Sequence, residues 1–250
     1  MPKVAWIIGG GSGIGAAVAK MLAAEGWTVA ISSRRPERLA EVAAGRQGVH
    51  PYPLDVTDEA AVAATVAAIA DAFGRIDLAL FGAVATQPTR IGEYDLAKYR
   101  AAFETNVLAF VGVAQHLIPQ LEKQGGGRLA AIASLAGYFG VPRSGAYGAS
   151  KAALRILLET MRTELAPTRI IVQMVAPGFV KSELTDRNKY PMPWLMETDA
   201  AARRIVDGLT RSDRFEIAFP WQMVWLVKIM RWLPYPLFFW LAAKLMPKAS

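Results

Sequence analysis

The segment "IIGGGSGIGAAVA", residues 7–19, lies between an apolar run and an alanine-rich stretch near the start of the chain. Glycines in this pattern permit a tight turn and let a pyrophosphate approach the backbone N–H groups where a helix begins. Such a turn alone is weak evidence, because it can equally be an ordinary tight loop. Its position between a strand-like run and a helix favours a dinucleotide site. The residues expected to bind there are Gly9, Gly11, Ser12, Gly13, Ile14 and Gly15.

Outward from this turn, short apolar runs alternate with longer helical segments. Buried strands are predicted at Val4–Ile8, Thr28–Ser32, Val49–Leu54, Leu78–Phe81, Arg128–Ala133 and Ile170–Val175. Helices are predicted at 13–25, 36–44, 58–73, 95–123 and 145–166, with Thr57-Asp58 and Ser144 as capping residues. This alternation predicts an α/β fold, a doubly wound parallel sheet with helices on both faces. We expect one domain over residues 1–218 and an apolar helical tail over 219–250.

Composition excludes several classes of protein. With 250 residues, 53% hydrophobic and 20% charged, the chain is typical of a globular protein rather than a disordered one. Cysteine is absent, which excludes disulfides and thiolate metal sites. His50 and His116 have no partner at metal-ligand spacing, so no metal site is expected. The chain starts directly with a strand-like run, so we expect no signal peptide and a cytoplasmic protein.

The segment "AYGASK", residues 146–151, places Tyr147 and Lys151 four positions apart among small residues. A helix would bring both side chains to one face. A phenol with a pKa of about 10 is a poor acid–base catalyst at neutral pH, and a nearby ammonium stabilises its ionised form. The pair is therefore a candidate acid–base unit, although ordinary helix decoration remains the alternative.

The second predicted strand ends in "AISSRRPERL", residues 30–39. Enzymes that prefer NAD often carry an acid at the position of Ser33, which is followed here by Arg34 and Arg35. A guanidinium can pair with a 2′-phosphate that a carboxylate would repel. The pattern favours NADP(H), with NAD(H) left open, and the competing interpretation is a solvated basic turn.

Six motifs together resemble the short-chain dehydrogenase/reductase family over roughly residues 1–218. They occur in the family's order and spacing: Gly9-xxx-Gly13-Ile14-Gly15, Asp55-Val56, Asn106-Val107, Ser134-Leu135-Ala136-Gly137, Tyr147-xxx-Lys151 and Pro177-Gly178. The resemblance implies a Rossmann-type fold and a dehydrogenase or reductase reaction. It implies Tyr147 as proton donor or base and Lys151 as its cationic partner and the ligand of the nicotinamide ribose. Ser134 would polarise the carbonyl, and Asn106 would anchor a water that links Lys151 to solvent.

The same resemblance implies further cofactor contacts. Asp55 would contact the adenine, with Val56 beside it, and Ala83 would contact the cofactor after the fourth strand. The loop "VAPGFVKS", residues 175–182, would touch the nicotinamide carboxamide. Its expected contact residues are Pro177, Gly178, Val180 and Ser182.

The chain departs from the family pattern at two places. Ile8 stands where the first glycine motif normally begins with threonine, so one local hydrogen bond is missing. Phe81 and Gly82 replace two asparagines that usually tie the central strand to its neighbours. The sheet must therefore be secured in another way, and the placement of the adenosine ribose is put in doubt.

The predicted substrate pocket is apolar. It is expected from Thr86–Thr89, Leu135–Pro142 and the lid 181–197, with Tyr138, Phe139, Val141 and "YPMPWLM", residues 190–196, as candidates. This favours NADPH-dependent reduction of an apolar or lipid-like ketone or aldehyde to an alcohol, or the reverse reaction, although the loop could simply be a packed lid. The alternatives are a soluble 3-oxoacyl thioester reductase and a catalytically silent NADP-binding scaffold or redox sensor.

The tail and the charge distribution indicate which partners the protein could bind. The net charge is +7, and residues 201–250 hold eight Lys/Arg and three Asp/Glu. No nucleic-acid-binding motif is present, so no such partner is expected. The tail could lie on an anionic membrane at the inner face, or pack on the domain, on the lid or on a second subunit. The resemblance implies a homodimer paired through helices 95–123 and 145–166, with a tetramer left open.

Overall fold

The computed structural model describes residues 2–87, 89, 92, 94–142, 144–183, 185–186 and 191–245. The strands are β1 Val4–Ile8, β2 Thr28–Ser32, β3 Val49–Pro51, β4 Leu78–Phe81, β5 Gly127–Ile132, β6 Ile170–Pro177 and β7 Glu216–Phe219. The helices are α1 Gly13–Ala24, α2 Pro36–Ala43, α3 Glu59–Phe73, α4 Leu96–Phe103, α5 Ala109–Lys123, α6 Gly145–Glu164, α7 Thr198–Arg211, α8 Trp221–Trp232 and α9 Tyr235–Leu245.

The seven strands form one parallel sheet in the order β3-β2-β1-β4-β5-β6-β7. Successive side chains of β1 point to opposite faces. Trp6 and Ile8 join the core under α3, α5 and α6, whereas Ala5 and Ile7 join the core under α1, α2 and α7. The prediction of a doubly wound α/β fold is confirmed. The strand order reverses between β1 and β4, which opens a crevice at the carboxyl ends of these strands.

Several predicted boundaries need correction. β3 ends at Pro51 instead of Leu54 because Pro51 and Pro53 lack an N–H, although Tyr52 and Leu54 still donate backbone bonds to Ile31 and Ser33 in and after β2. The other predicted strands and helices lie within two residues of their expected ends. Asp58 caps α3 by accepting from the Ala61 N–H, whereas the Ser144 side chain makes no capping bond to α6.

The predicted helix 95–123 is not regular. It consists of α4, a π-helical segment Glu104–Leu108, and α5. The sequence prediction of one continuous helix did not anticipate this change. Such segments occur frequently at functional sites.

Two elements are absent from the sequence prediction. Helix α7 buries Ala201, Ile205 and Leu209 against α1, a spacing of four that could have revealed it. Strand β7 is only four residues long and lies at the sheet edge, so its pattern carries little signal. It extends one residue beyond the predicted domain boundary at 218.

Among the described residues, one continuous helical run, Leu96–Lys123, is long and apolar enough to cross a bilayer by length and composition. This run contains the π-helical segment and packs against α3 and α6 through its α5 and α4 parts. Phe110 and Leu117 are fully buried in the core beside the sheet. In this fold the run is a core helix of the α/β domain.

Candidate functional site

The glycine-rich turn follows β1 at the switch point of the sheet. Gly9 and Gly10 donate their N–H groups to the Ser32 carbonyl at the end of β2, at 2.7 Å and 3.1 Å. Gly9 has φ +85°, and a Cβ there would lie 2.7 Å from the Gly82 backbone. A Cβ on Gly15 would lie 2.3 Å from the Gly9 carbonyl oxygen. The turn therefore requires glycine at both positions, and α1 begins directly behind it.

A cleft of about 480 Å³ opens beside this turn. Its wall includes half of the predicted cofactor residues: Gly9, Gly11, Ser12, Ser33, Arg34, Arg35, Asp55, Val56 and Ala83. It also includes residues that the sequence analysis missed, namely Ser32, Leu54, Thr57, Gly82, Val84 and Thr105. Leu54 and Thr57 lie in the segment after β3, and Gly82 and Val84 lie in the segment after β4, so their place after a parallel strand was the signal that could have found them. Ser32 is the last residue of β2, and Thr105 lies in the π-helical segment.

The basic rim of the cleft is formed by residues after β2. Arg34 lies close enough to Asp55 to help lower the pKa of that carboxyl, although the hydrogen bonds from Thr57 are the larger cause. Arg35 lies 3.8 Å from Glu183, and Arg38 lies 3.1 Å from the same carboxylate. Glu183 and Arg38 were not predicted as site residues. Their ion pairs connect the β2–α2 region to the loop after β6.

The departure at Phe81 and Gly82 is accommodated by packing. Phe81 is fully buried, and its ring lies edge-on to Phe110 at 5.4 Å. The Gly82 N–H donates to the Ile8 carbonyl at 2.7 Å. Main-chain bonding and an aromatic pair thus secure the junction of β4 and β1 without side-chain amides.

Ser134 follows β5 and precedes a short 3₁₀ turn, Leu135–Gly137. Its Oγ accepts from the Ala136 N–H at 3.1 Å. A Cβ on Gly137 would lie 2.8 Å from the Lys151 carbonyl carbon, so this turn packs directly on the backbone of α6. The absence of a side chain at Gly137 brings Ser134 and the first turns of α6 together.

Tyr147 and Lys151 occupy the first two turns of α6, as the sequence predicts. The Lys151 Nζ lies 5.9 Å from the centroid of the Tyr147 ring and donates to the Ile132 carbonyl at 2.6 Å. Lys151 is only 2% exposed. Burial lowers the pKa of its ammonium to about 7, because the charged form loses hydration.

Asn106 lies in the π-helical segment and is fully buried. Its carboxamide accepts from the Ala85 N–H at 2.8 Å and donates to the Ala85 carbonyl at 2.9 Å. It also donates to Ser150 Oγ at 2.9 Å, and Ser150 donates to the Tyr147 carbonyl at 2.8 Å. Asn106 therefore ties the segment after β4 to the first turns of α6. Ser150 was missed, since nothing in its local sequence sets it apart.

The loop after β6 folds back over the phosphate turn. Ser182 Cβ lies 3.6 Å from the position that a Cβ on Gly13 would take, so these two predicted cofactor segments are adjacent. Thr185 Oγ1 donates to the Val180 carbonyl at 2.9 Å and accepts from the Ser182 N–H at 2.8 Å. Pro177 pairs with Phe219 of β7, and Gly178 packs against Met223 of α8.

The predicted substrate segments are only partly described, because residues 88, 184 and 187–190 lie outside the described residues. Tyr138 is buried, and its hydroxyl donates to Glu216, so its phenol does not line an open apolar pocket as expected. Burial, reinforced by the Glu216 carboxylate, raises the pKa of Tyr138. Phe139 contacts the ring of Phe238 in α9 at 5.5 Å. The Tyr138 side chain instead contacts β7, and the Phe139 side chain joins the domain to α9.

Comparison with known proteins agrees with this fold. The family model described as short chain dehydrogenase matches residues 3–191. An uncharacterized oxidoreductase of Myxococcus xanthus is 35% identical over 240 residues, covering 94% of each chain. Sulfoacetaldehyde reductase 2 of Chromohalobacter salexigens is 35% identical over 190 residues, 74% of this chain and 75% of that one. The crystal structure of a short-chain dehydrogenase from Streptomyces avermitilis superposes with TM-score 0.82 at 27% identity, covering 91% and 92%.

Proposed function

The chain belongs to the short-chain dehydrogenase/reductase family and is an NAD(P)-dependent oxidoreductase, and from this premise we propose that it interconverts an apolar, lipid-like carbonyl compound and its alcohol. The observation that carries this proposal is the convergence of Ser134, Tyr147 and Lys151 at the start of α6, with Asn106 tied to the same turns. We propose that it works in the cytoplasm as a homodimer.

The residues of the cleft suit a dinucleotide. The Gly9 turn leaves no side chain between the backbone and a ligand phosphate, and α1 begins there with its free N–H groups. Asp55 and Val56 stand after β3 for the adenine, while Ala83 lies across the cleft. Pro177, Gly178, Val180 and Ser182 would meet the nicotinamide half. When bound, the reduced nicotinamide supplies the hydride that the carbonyl carbon receives.

The side chains around Tyr147 would handle the proton. Ser134 Oγ already accepts from Ala136, so its own hydrogen is available to donate to the substrate oxygen. Tyr147 would transfer its phenolic proton to that oxygen as negative charge develops on it. Lys151 would then stabilise the phenolate, and the phenolate would in turn favour the ammonium form of this buried amine. The reverse reaction uses the same groups with Tyr147 as base.

The apolar substrate class rests on the segments that would flank the carbonyl. Val141, Trp194 and Leu195 are large apolar side chains that remain exposed in these segments. Apolar lining with few polar groups is typical of pockets for apolar ligands. The relationship to a sulfoacetaldehyde reductase supports carbonyl reduction. Sulfoacetaldehyde is small and carries a charged sulfonate, unlike an apolar, lipid-like carbonyl compound. It therefore serves as the comparison substrate.

The reaction is tested by following NADPH oxidation with straight-chain ketones and aldehydes of increasing length, 3-oxoacyl thioesters and sulfoacetaldehyde. We expect kcat/KM to rise by about fourfold per methylene while the chain is still entering the pocket. A preference for sulfoacetaldehyde would contradict the apolar substrate class but keep the reaction. A clear preference for thioesters would favour the acyl thioester reductase. No oxidation of NADPH or NADH with any carbonyl would favour a silent cofactor-binding scaffold.

Preference for NADP(H) is tested by the Arg34→Ala/Arg35→Ala double variant. A charged hydrogen bond contributes about 1.5–3 kcal/mol, so we expect the Kd for NADPH to rise about 10- to 100-fold. The Kd for NADH should change little, because NADH has no 2′-phosphate. The measurement is a fluorescence titration with each cofactor.

Arg214→Ala removes an exposed guanidinium far along the chain from this rim and serves as the matched control. Glu183→Gln should instead strengthen NADPH binding, since the carboxylate competes for Arg35 and Arg38. Equal loss of NADPH and NADH affinity in the double variant would make the arginines general anchors of the turn. An NADH affinity at least equal to that for NADPH in the unaltered protein would overturn the preference itself.

A further inference from the structure

The last two helices, α8 and α9, expose many large apolar side chains. Their outward side chains are nine large apolar residues: Trp221, Trp225, Leu226, Ile229, Trp232, Tyr235, Leu237, Phe239 and Trp240. Trp232 is 88% exposed, and Trp221 and Trp225 are each 64% exposed. Contiguous apolar patches on soluble proteins are normally small, and larger ones mark interaction surfaces. We call these nine side chains the aromatic face.

The aromatic face belongs to helices that are themselves packed against the domain. Met223, Val227 and Met230 follow each other at helical spacing on the opposite side of α8 and are buried against the domain. Phe238 of α9 is buried in the same way. Helix α8 is thus apolar on two sides, of which the domain covers one. The other apolar side of α8 faces outward, because the buried residues on the first side determine the position of the helix.

Polar contacts hold α8 in this orientation. Lys228 pairs with Glu216 of β7, and the same carboxylate accepts from the Tyr138 hydroxyl. Arg231 donates to the Tyr138 carbonyl at 3.0 Å. These bonds attach α8 to the turn that follows Ser134. The aromatic face is therefore coupled to the segment Leu135–Pro142, which we expect to flank the substrate carbonyl.

The charge of residues 219–250 indicates which partner the aromatic face would bind. Residues 219–250 contain four Lys/Arg and no Asp/Glu. Lys244 lies over the Trp240 ring at 3.8 Å, so a cation stands beside the exposed aromatics. Two copies joined symmetrically through this face would bring like charges together. Tryptophan and tyrosine with flanking basic residues instead match the headgroup region of an anionic bilayer.

The geometry allows the face to lie on a bilayer but not to cross it. Helix α8 has 12 residues and α9 has 11, so they are about 18 Å and 16 Å long. A hydrocarbon core is about 30 Å thick. Pro234 lies between the helices and Pro236 lies in the first turn of α9, and because neither can donate a backbone N–H they prevent one continuous helix across the bilayer.

We propose that α8 and α9 dock the enzyme on the surface of an anionic membrane through the aromatic face, which places the substrate side of the cleft at the headgroups. Binding to the membrane does not depend on the substrate assigned above. If that substrate is lipid-like, docking would let it enter the cleft from the bilayer. Vesicle binding and turnover are measured separately, so failure of one is distinguishable from failure of the other.

The experiment is sedimentation of the full chain with vesicles of equimolar phosphatidylglycerol and phosphatidylcholine, compared with pure phosphatidylcholine. We expect binding to the anionic vesicles that weakens with added salt, and at least a tenfold lower affinity for Trp221→Ser/Trp225→Ser/Trp232→Ser. Tyr94→Ser removes an exposed aromatic outside the tail and should bind as the unaltered chain does.

Three outcomes would overturn the proposal. A protein that stays in the supernatant at low salt does not dock, and equal binding by the triple variant would assign docking to another surface. Quenching of tryptophan fluorescence by brominated lipids in the unaltered chain gives an independent readout if the triple variant folds poorly. If sedimentation equilibrium shows that the triple variant dissociates an oligomer that does not bind vesicles, the face is a subunit interface and the proposal fails.

Discussion

Replacing Tyr147 by phenylalanine should lower kcat by about 10²–10⁴-fold, the usual contribution of a general acid or base. The variant removes one oxygen and retains the ring, which the Lys151 ammonium faces at 5.9 Å. Cofactor affinity should change much less than turnover, since the phosphate turn and the adenosine cleft are untouched. The measurement is steady-state NADPH oxidation on the best carbonyl of the panel, beside a cofactor titration.

Tyr52→Phe is the matched control, because it also removes a phenolic oxygen from a partly buried ring. That ring packs against Phe73 near the end of β3, remote from α6 along the chain. We expect its turnover to equal that of the unaltered enzyme. Full turnover in Tyr147→Phe on a verified substrate would exclude Tyr147 as the proton donor. A parallel loss in both variants would point to a general effect on folding.

Replacing Lys151 by methionine should produce a comparable loss of turnover together with an unusual change in stability. The loss follows because the cation that stabilises ionised Tyr147 disappears, while methionine retains much of the apolar stem. The change in stability follows from burial, which lowers the pKa of Lys151 in the folded cofactor-free protein to about 7 from an ordinary value of 10.5. Because burial disfavours the charged form of Lys151, this lysine destabilises the folded protein at each pH at which it is protonated there.

The direction of the pH dependence follows from proton counting. Below about pH 7 both folded and unfolded chains hold the Lys151 proton, so the destabilisation is fully present. Between about 7 and 10.5 the unfolded chain holds one more proton, so stability rises with pH. The free energy of unfolding of the unaltered protein should therefore rise relative to Lys151→Met by up to about 1.4 kcal/mol per pH unit in this interval.

The measurement is urea unfolding of both cofactor-free proteins over this pH interval, at one protein concentration because the chain is expected to dimerise. Lys20→Met, which removes an exposed ammonium from α1, controls for general effects of charge. If the difference in the free energy of unfolding between the unaltered protein and Lys151→Met stays constant with pH, Lys151 has the same pKa in the folded and the unfolded protein. Retained turnover in Lys151→Met would separately exclude its role beside Tyr147.

The parts of this protein that the sequence predicts well depend on short stretches of chain. The glycine turn is encoded where it acts, because Gly9 has a positive φ and a Cβ on Gly15 would meet the Gly9 carbonyl of the same turn. Tyr147 and Lys151 lie one helical turn apart whenever their segment is a helix. The alternation of strands and helices determines the doubly wound sheet, because parallel strands require crossovers and both faces must be covered.

Other features depend on contacts between distant residues, which no local pattern reports. The π-helical segment places Asn106 against Ala85 and Ser150, and the burial of Lys151 depends on β5 and the turn after Ser134. Glu183 meets Arg35 and Arg38 only because the loop after β6 returns to the rim of the cleft. Each is a property of the assembled fold.

The tail shows the same division most clearly. Its sequence determined that residues 219–250 are apolar, aromatic and basic, and that neither helix can span a bilayer, because composition and proline positions decide both. Which side of α8 faces the protein could not be read from a helix that is apolar on two sides. Only the tertiary structure decided this, since Met223, Val227 and Met230 fill space on the domain while Glu216 and Tyr138 hold Lys228 and Arg231. Burying that side left the tryptophans of the other side exposed.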